Sequence, residues 1–205
     1  YGLVGSEMCI RDSLDARQPQ QASELLHAAL HYPENLSEGR LPGQTDNDIW
    51  FWQAICANAQ GDETEAMRCL RLAATGDRTI NIHSYYNDQP VDYLFWQGMA
   101  LRLLGEQHTA QQLFSEMKQW AQEMAKTSIE ADFFAVSQPD LLSLYGDLQQ
   151  QHKEKCLMVA MLASAGLGEV AQYESARAEL TAINPAWPKA ALFTTVMPFI
   201  FNYVH

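Results

Sequence analysis

Two histidines four residues apart are the first residues in this sequence whose type and spacing suggest chemistry. His27 and His31 fall on one face of a predicted helix, and metal ligands use this spacing. No glutamate joins them in an H-E-x-x-H arrangement, and the nearest carboxylates along the chain are Glu24 and Glu34. We therefore interpret both as surface or partly buried helix histidines and predict no metal site.

The serines, glycines and aspartates match no catalytic or nucleotide-binding motif. No G-x-S-x-G pattern surrounds a serine, and segment 137–140 indicates a break in regular structure followed by a helix start. The sequence holds neither a Walker loop nor G-x-G-x-x-G. Asp46 and Asp48 are predicted to cap a helix that begins near Ile49, and Asp92 is predicted to cap a later one. These patterns predict a chain that is not an enzyme and binds no cofactor.

The charge balance narrows the choice of partners. The formal net charge is −12, from 13 Lys and Arg residues against 25 Asp and Glu residues, and no basic run occurs. Nucleic acids and anionic membranes attract clustered basic residues, so we predict neither as a partner. No stretch reaches the roughly 18 apolar residues of a membrane-spanning helix. Four cysteines without a CxxC motif indicate a reducing compartment, which favours the cytoplasm but leaves the localisation unassigned.

An aromatic heptad occurs twice in the chain. Segment 48–54, Asp-Ile-Trp-Phe-Trp-Gln-Ala, returns 44 residues later as 92–98, Asp-Tyr-Leu-Phe-Trp-Gln-Gly. Each copy runs on to a glycine and an acid, first at Gly61 and then at Gly105. Self-similarity at a period of roughly 20–50 residues is typical of stacked-repeat proteins. The spacing of small and apolar residues predicts a helix, a glycine turn with positive φ and a second helix in each copy.

This pattern resembles the tetratricopeptide repeat, with its bulky and small residues, Gly-acid turn and later alanine. A third unit is recognisable, although Tyr173 stands where the small alanine belongs and Met161 replaces the small residue of the first helix. Residues 20–33 resemble the second helix of a pair whose first helix is missing. The resemblance implies an all-α fold, a right-handed superhelical stack of tetratricopeptide-like helix hairpins with long inter-repeat connections.

The units define a predicted organisation of the chain. Residues 14–189 form the array, with the half-repeat at 20–33, repeats at 48–77, 92–120 and 156–185, and an extra helix at about 131–145. Residues 190–205 form an apolar C-terminal tail that covers the last helix pair. Residues 1–13 resemble translated sequencing-adapter read-through at the ends of metagenomic gene fragments, so we interpret them as a non-native artefact. On that interpretation the chain is a fragment of a larger bacterial protein.

The connections between the helix pairs are longer than a plain repeat needs. A tetratricopeptide repeat takes about 34 residues, whereas the turn glycines here are 44 and 63 residues apart. The surplus forms segments 35–47, 78–91 and roughly 118–152. Because each segment leaves an equivalent end of a helix pair, we expect all three to gather along one edge of the stack. Insertions that map to one face are often the binding face.

These connections carry a second resemblance. The motifs that begin at Tyr32, Tyr85 and Asp132 resemble the C-terminal region of a bacterial family of unknown function. In that family a large N-terminal β-sandwich domain, of the kind associated with carbohydrate handling, is joined to a tetratricopeptide array. The resemblance covers about residues 20–185 and brings no catalytic residues with it. It implies that a β-rich domain belongs with this array.

Two groups of residues are candidate partner contacts. The first lies in the connections and consists of Tyr85, Tyr86, Asn87, Asp88 and Asp140. Such loop residues carry function, or their aromatic rings dock the loop on its own stack. The second consists of Phe51, Trp52, Phe95 and Trp96. These aromatic residues line a groove for an extended peptide or a sugar ring, or they fill the inter-repeat core.

The function predicted from the sequence is a non-catalytic protein-interaction or intramolecular scaffold. Its partner is another protein or the β-rich domain implied by the family resemblance. One alternative is the helical arm of a carbohydrate-processing enzyme, whose connections contact a glycan. The other alternative is a peptide-binding adaptor that uses the aromatic groove.

Overall fold

The fold of the described residues is entirely helical. The structure, a computed structural model, describes residues 18–31, 45–80, 91–130 and 147–186, together with Ser13 and Met197. Within that part of the chain there are seven helices and no strand. The helices are α1 (Pro19–Ala29), α2 (Asn47–Ala59), α3 (Glu63–Ala73), α4 (Tyr93–Leu103), α5 (Gln107–Met124), α6 (Leu148–Leu167) and α7 (Val170–Ile183). The predicted all-α fold class is confirmed. The predicted extra helix at 131–145 lies outside the described residues.

Three glycine turns join α2 to α3, α4 to α5 and α6 to α7. Gly61, Gly105 and Gly168 have φ angles of 79°, 86° and 75°, which only glycine adopts without strain. The residue after each glycine donates its amide to a carbonyl five residues earlier: Asp62 to Ala57 at 3.0 Å, Glu106 to Leu101 at 2.9 Å and Glu169 to Ser164 at 2.8 Å. This is the Schellman closure of a helix end. The predicted positive φ at Gly61 and Gly105 is confirmed.

Two helices begin at an aspartate whose side chain caps the first turn. Asp62 accepts a hydrogen bond of 2.9 Å from the amide of Glu65 at the start of α3. Asp147 accepts one of 2.9 Å from the amide of Gln149 at the start of α6. Each bond satisfies a backbone N–H that has no partner within its own helix. Neither aspartate is among the caps predicted from the sequence, Asp46, Asp48 and Asp92.

The predicted caps at Asp46 and Asp92 need correction. Both residues stand immediately before a helix, yet neither side chain makes a capping hydrogen bond. A capping residue needs a β-like backbone, whereas Asp46 is left-handed with φ 46° and Asp92 is helical with φ −70°. Asp48 lies inside the first turn of α2, where its charge suits the positive end of the helix dipole.

The two aromatic heptads pack against each other in the main core. The ring of Phe51 from α2 lies 5.2 Å from the ring of Trp96 in α4. Phe95 lies 5.1 Å from Trp96 and 6.0 Å from Phe114 of α5, measured between ring centroids. All four side chains are at most 1% exposed. Aromatic pairs of this kind contribute about 0.5–1.5 kcal/mol each beyond the burial of their area. The repeated heptad therefore holds successive helix pairs together.

Phe114 connects the second helix pair to the third through two glycines. A β-carbon added at Gly98 in α4 would lie 2.4 Å from Cζ of the ring, and one added at Gly166 in α6 would lie 2.4 Å from Cδ1. The guanidinium of Arg102 lies over the same ring at 5.6 Å and donates to the carbonyl of Gly166. The small residue of the third pair is thus Gly166, while Met161 is buried in the core.

The remaining core residues lie at the two ends of the described helices. Ala22 and Leu26 of α1 form a smaller cluster with Ile49 and Cys56 of α2. At the other end, Tyr173 of α7 is buried in the main core, so the pair accepts a large residue where the repeat pattern has alanine. Met197, the described residue of the apolar tail, belongs to the same core. No helix in the described ranges combines the length and the apolar character needed to cross a membrane.

Candidate functional site

The long connections leave the helix pairs at one edge, which we call the open edge. It comprises the first turns of α2, α4 and α6 and the ends of α3 and α5, and it lies opposite the three glycine turns. The chain leaves or enters the described structure here at segments 32–44, 81–90 and 131–146. The predicted contacts in the connections, Tyr85, Tyr86, Asn87, Asp88 and Asp140, lie outside the described residues.

Asn47 fastens α2 to the end of α3 at the open edge. Its side-chain amide is fully buried and donates to the carbonyls of Ala73 and Thr75, at 2.8 Å in each case. The hydroxyl of Thr45 donates a hydrogen bond to the side-chain oxygen of Asn47. The last carbonyls of a helix lack intrahelical donors, so Asn47 supplies a donor to the carbonyl of the buried residue Ala73. The sequence offered little signal for this role, because Asn47 stands between two predicted capping aspartates.

The glutamine of each aromatic heptad bonds to the element before it. Gln53 donates to the carbonyl of Ser23 in α1 at 2.9 Å and accepts from the Ser23 hydroxyl at 2.9 Å. Gln97, 44 residues later, donates to the carbonyl of Asp77 at 3.4 Å. The aromatic residues of the heptads were predicted as partner contacts from the sequence, whereas neither glutamine was predicted to have a role. The signal was present, since Trp-Gln is retained in both copies of the heptad.

The third helix pair is fastened in the same place by an imidazole. Nε2 of His152, in the second turn of α6, lies 2.8 Å from the carbonyl of Met124, the last residue of α5. Because a carbonyl can only accept, the imidazole donates this bond. Gln149 donates to the carbonyl of Ile129 nearby. Side chains from the first helices of the pairs therefore hold the start of the two connections that follow α3 and α5 at the open edge.

The structure places the predicted aromatic contacts in the core rather than along a groove. Phe51, Phe95 and Trp96 are buried among neighbouring helices and offer no surface to a partner. Trp52 is partly exposed and lies 5.7 Å from the ring of Trp96. The groove interpretation is corrected for the three buried residues, whose side chains fill the inter-repeat core.

A cleft of about 450 Å³ lies between α1 and the α2–α3 pair. Its lining includes Glu24 and His27 of α1, Trp50 of α2, and Glu65 and Arg68 of α3. The Arg68 guanidinium lies 5.3 Å from the Trp50 ring centroid. Two hydrogen bonds from Arg68, at 2.6 and 2.7 Å, hold the pKa of the Glu65 carboxylate below its ordinary value. The lining of the cleft therefore combines an indole ring with three carboxylates, those of Glu24, Asp62 and Glu65, and one guanidinium.

No protein-family model matches the chain, and no solved structure matches it significantly. Assignments finer than an all-α fold therefore rest on the sequence and on the contacts described above. Among the described residues, no group of three or more His, Cys, Asp and Glu side chains is arranged to hold a metal ion.

Three cysteines are buried in the described core. Burial raises the pKa of Cys56 to about 11 and is the main reason that the pKa of Cys69 is raised to about 12. Burial also raises the pKa of the Cys156 thiol. Because the thiolate is the reactive form of cysteine, these thiols are poor nucleophiles in the folded protein. They contribute to packing rather than to chemistry.

We predict that none of these three thiols reacts rapidly with Ellman's reagent at pH 8 while the protein is folded. The measurement uses a Cys9→Ser background, because Cys9 lies outside the described residues. In urea the same protein should titrate all three thiols, since unfolding removes the burial that raises their pKa. If the folded protein rapidly releases one equivalent of the coloured thiolate from the reagent, at least one of these thiols is not buried.

Proposed function

We propose that the chain is a tetratricopeptide-like, right-handed superhelical stack that acts as a non-catalytic interaction scaffold. The observation that supports this proposal is that the glutamine at one position of the heptad donates to a backbone carbonyl of the preceding segment in two successive units. Gln53 bonds α2 to the helix before it, and Gln97 bonds α4 to the residues after α3. Stacks of such units present extended surfaces on which partners are held.

The open edge is the proposed partner-binding surface. All three long connections border it, and insertions on one face of a repeat stack are often its binding face. Asn47, Gln97 and His152 hold its helix ends in place through buried or half-buried hydrogen bonds. A surface that is already ordered loses less conformational entropy when it binds. The proposed partner is a protein, and the family resemblance makes the β-rich domain the first one to test.

The two alternatives now differ in support. The carbohydrate-enzyme arm depends on Tyr86, Asn87, Asp88 and Asp140, which lie outside the described residues, so it stays an alternative. The peptide adaptor required a groove lined by aromatic side chains. Since three of those four side chains are buried, the contacts do not support it.

Binding to a β-sandwich domain tests the proposal directly. We expect the chain to form a one-to-one complex with the separately produced β-sandwich domain of a family member, measured by analytical ultracentrifugation and calorimetry. Glu130 follows Ile129, whose carbonyl accepts from Gln149 in the first turn of α6 at the open edge, so Glu130→Lys should weaken the complex by about threefold to tenfold, as charge changes at an interface rim do. Glu106→Lys is the matched control, because Glu106 is also exposed but lies at a glycine turn. Equal effects of both variants would contradict the assignment of the open edge.

A glycan titration separates the scaffold from the carbohydrate alternative. Calorimetry of the chain with a panel of neutral oligosaccharides should show no binding at millimolar concentrations. Millimolar or tighter binding that Asn87→Ala abolishes would overturn the scaffold proposal in favour of the alternative.

A further inference from the structure

The two histidines at the end of α1 form a pair with the geometry of metal ligands. His27 lies in the last turn of α1, and His31 lies two residues beyond the last residue of the helix. Both side chains are exposed, and their ring centroids are 5.3 Å apart. Spacing along the sequence is compatible with two independent surface histidines. The separation of the rings is what the structure adds.

That separation fits one metal ion between the two rings. A metal–nitrogen bond is about 2.1 Å long, and the centroid of an imidazole lies roughly 1.1 Å beyond the ligating nitrogen. Two imidazoles on one ion at a tetrahedral angle therefore have centroids about 5.2 Å apart. The observed 5.3 Å agrees with this value, so the two rings are close enough to share one ion.

A hydrogen bond leaves one nitrogen of His31 available to the ion. Nδ1 of His31 lies 2.9 Å from the carbonyl oxygen of His27. Because the carbonyl accepts, Nδ1 carries the proton and Nε2 keeps its lone pair. Histidines that bind metals almost always donate their second nitrogen to a carbonyl, carboxylate or water in this way. The bond both fixes the tautomer and orients the ring.

The surroundings favour a cation. The pair stands at the C-terminus of α1, where the carbonyl groups of the last turn carry partial negative charge. Glu24 lies three residues before His27 on the same helix and lines the acidic cleft with it. Its carboxylate accepts a 3.2 Å bond from Gln20 in an exposed pair, and exposed pairs of this kind contribute little free energy.

We propose that His27 and His31 form a binding site for a divalent transition-metal ion, with water in the remaining coordination positions. Imidazole ligands suit copper, nickel and zinc ions, whereas magnesium and calcium ions prefer oxygen ligands. Affinities of one site for divalent metals rise from manganese to copper, so Cu²⁺ should bind more tightly than Ni²⁺. A bound ion links residues four apart and fastens the last turn of α1.

Titration with nickel chloride tests the site. We expect calorimetry of the full chain to show one Ni²⁺ site in a non-chelating buffer. Removing the hydrogen-bond partner of a metal ligand typically lowers the metal affinity by roughly tenfold or more. Removing the ligand itself should lower the affinity by at least as much. His27→Ala and His31→Ala should therefore each weaken binding about tenfold or more. His108→Ala is the matched control, since His108 is an exposed histidine on α5 whose removal should leave the affinity unchanged.

Two further measurements make the outcome decisive. Ni²⁺ should raise the midpoint of thermal unfolding of the parent chain and of His108→Ala, but not that of the His27→Ala/His31→Ala double variant. Electron paramagnetic resonance with one equivalent of Cu²⁺ should show two nitrogen ligands that the double variant lacks. Equal Ni²⁺ affinity in the parent and the double variant would overturn the proposal, as would an equal loss in His108→Ala.

Discussion

Gly98→Ala should destabilise the protein by up to about 2 kcal/mol, although alanine is the better helix former. The added β-carbon would lie 2.4 Å from Cζ and 2.6 Å from Cε1 of Phe114. The Phe114 ring is fully buried, so it cannot move aside into solvent to relieve the clash. Overpacking of a core costs about 1–3 kcal/mol, which exceeds the gain of about 1 kcal/mol from replacing a helical glycine. Urea unfolding followed by circular dichroism measures the difference.

The sign of this effect should reverse when the ring is shortened. Phe114→Leu removes the Cε and Cζ atoms that an alanine at position 98 would meet. In that background Gly98→Ala should stabilise the protein by up to about 1 kcal/mol, the intrinsic difference between alanine and glycine in a helix. Ala178→Gly, at an exposed position of α7, measures this intrinsic difference in the same protein. If Gly98→Ala has the same effect in both backgrounds, the ring of Phe114 does not occupy the space that the structure gives it.

Gly166 provides a second test of the same packing with a different expected result. An added β-carbon there would lie within 2.5 Å of Cγ, Cδ1 and Cε1 of Phe114. Leucine keeps the equivalents of Cγ and Cδ1, so Phe114→Leu should relieve Gly166→Ala only in part. The carbonyl of Gly166 also accepts a bond from Arg102, which restrains the backbone. The two glycines should therefore respond unequally to one change in the ring.

Turns and helix pairs are the part of the fold that could be predicted from the sequence. A glycine followed by an acid specifies both ends of the turn locally, since the glycine adopts positive φ and the acid begins the next helix. Gly61 and Gly105 were found for this reason. The small residue that makes room for the Phe114 ring in the third pair was not predicted from the sequence. Its identity as Gly166 depends on Phe114, which is 52 residues away in sequence and comes from another helix pair.

Helix starts were harder to predict because they depend on backbone angles that the residue type does not fix. Asp62 and Asp147 cap their helices, with ψ angles of 79° and 110°, whereas Asp92 has ψ −17° and does not. All are aspartates before a helix, so the sequence does not distinguish them. The start of α6 at Leu148 was not predicted from the sequence, for a different reason. The first turns of this helix are polar and show no apolar period, so they were included in the predicted connection.

The polar contacts of the open edge needed the structure because their partners are backbone groups. The carbonyls that accept from Asn47, Gln97 and His152 belong to other elements. Any residue supplies a carbonyl, so no pattern of residue types marks the accepting positions. The aromatic residues were ambiguous for a different reason. Their types fitted both a groove and a core, and only their burial decides between the two.

Asn47→Ala should destabilise the protein by about 2–4 kcal/mol, the largest effect we expect from a single polar substitution. It removes the two hydrogen bonds that the amide donates and the one that it accepts from Thr45, each worth about 0.5–1.5 kcal/mol, and it takes this donor away from the carbonyl of the buried residue Ala73. Asn47→Asp should cost at least as much, although its shape is nearly unchanged. Its carboxylate would face the carbonyl oxygens of Ala73 and Thr75, which also only accept. Urea unfolding of both variants measures these costs.

Gln112→Ala is the control for Asn47, because it removes an exposed amide bonded only across one helical turn and should change stability by less than about 0.5 kcal/mol. A loss below about 1 kcal/mol for Asn47→Ala would mean that water reaches the end of α3. The open edge would then be less ordered than the contacts indicate. The comparison therefore bears on function as well as stability, since the proposed scaffold depends on helix ends that are held in place before a partner arrives.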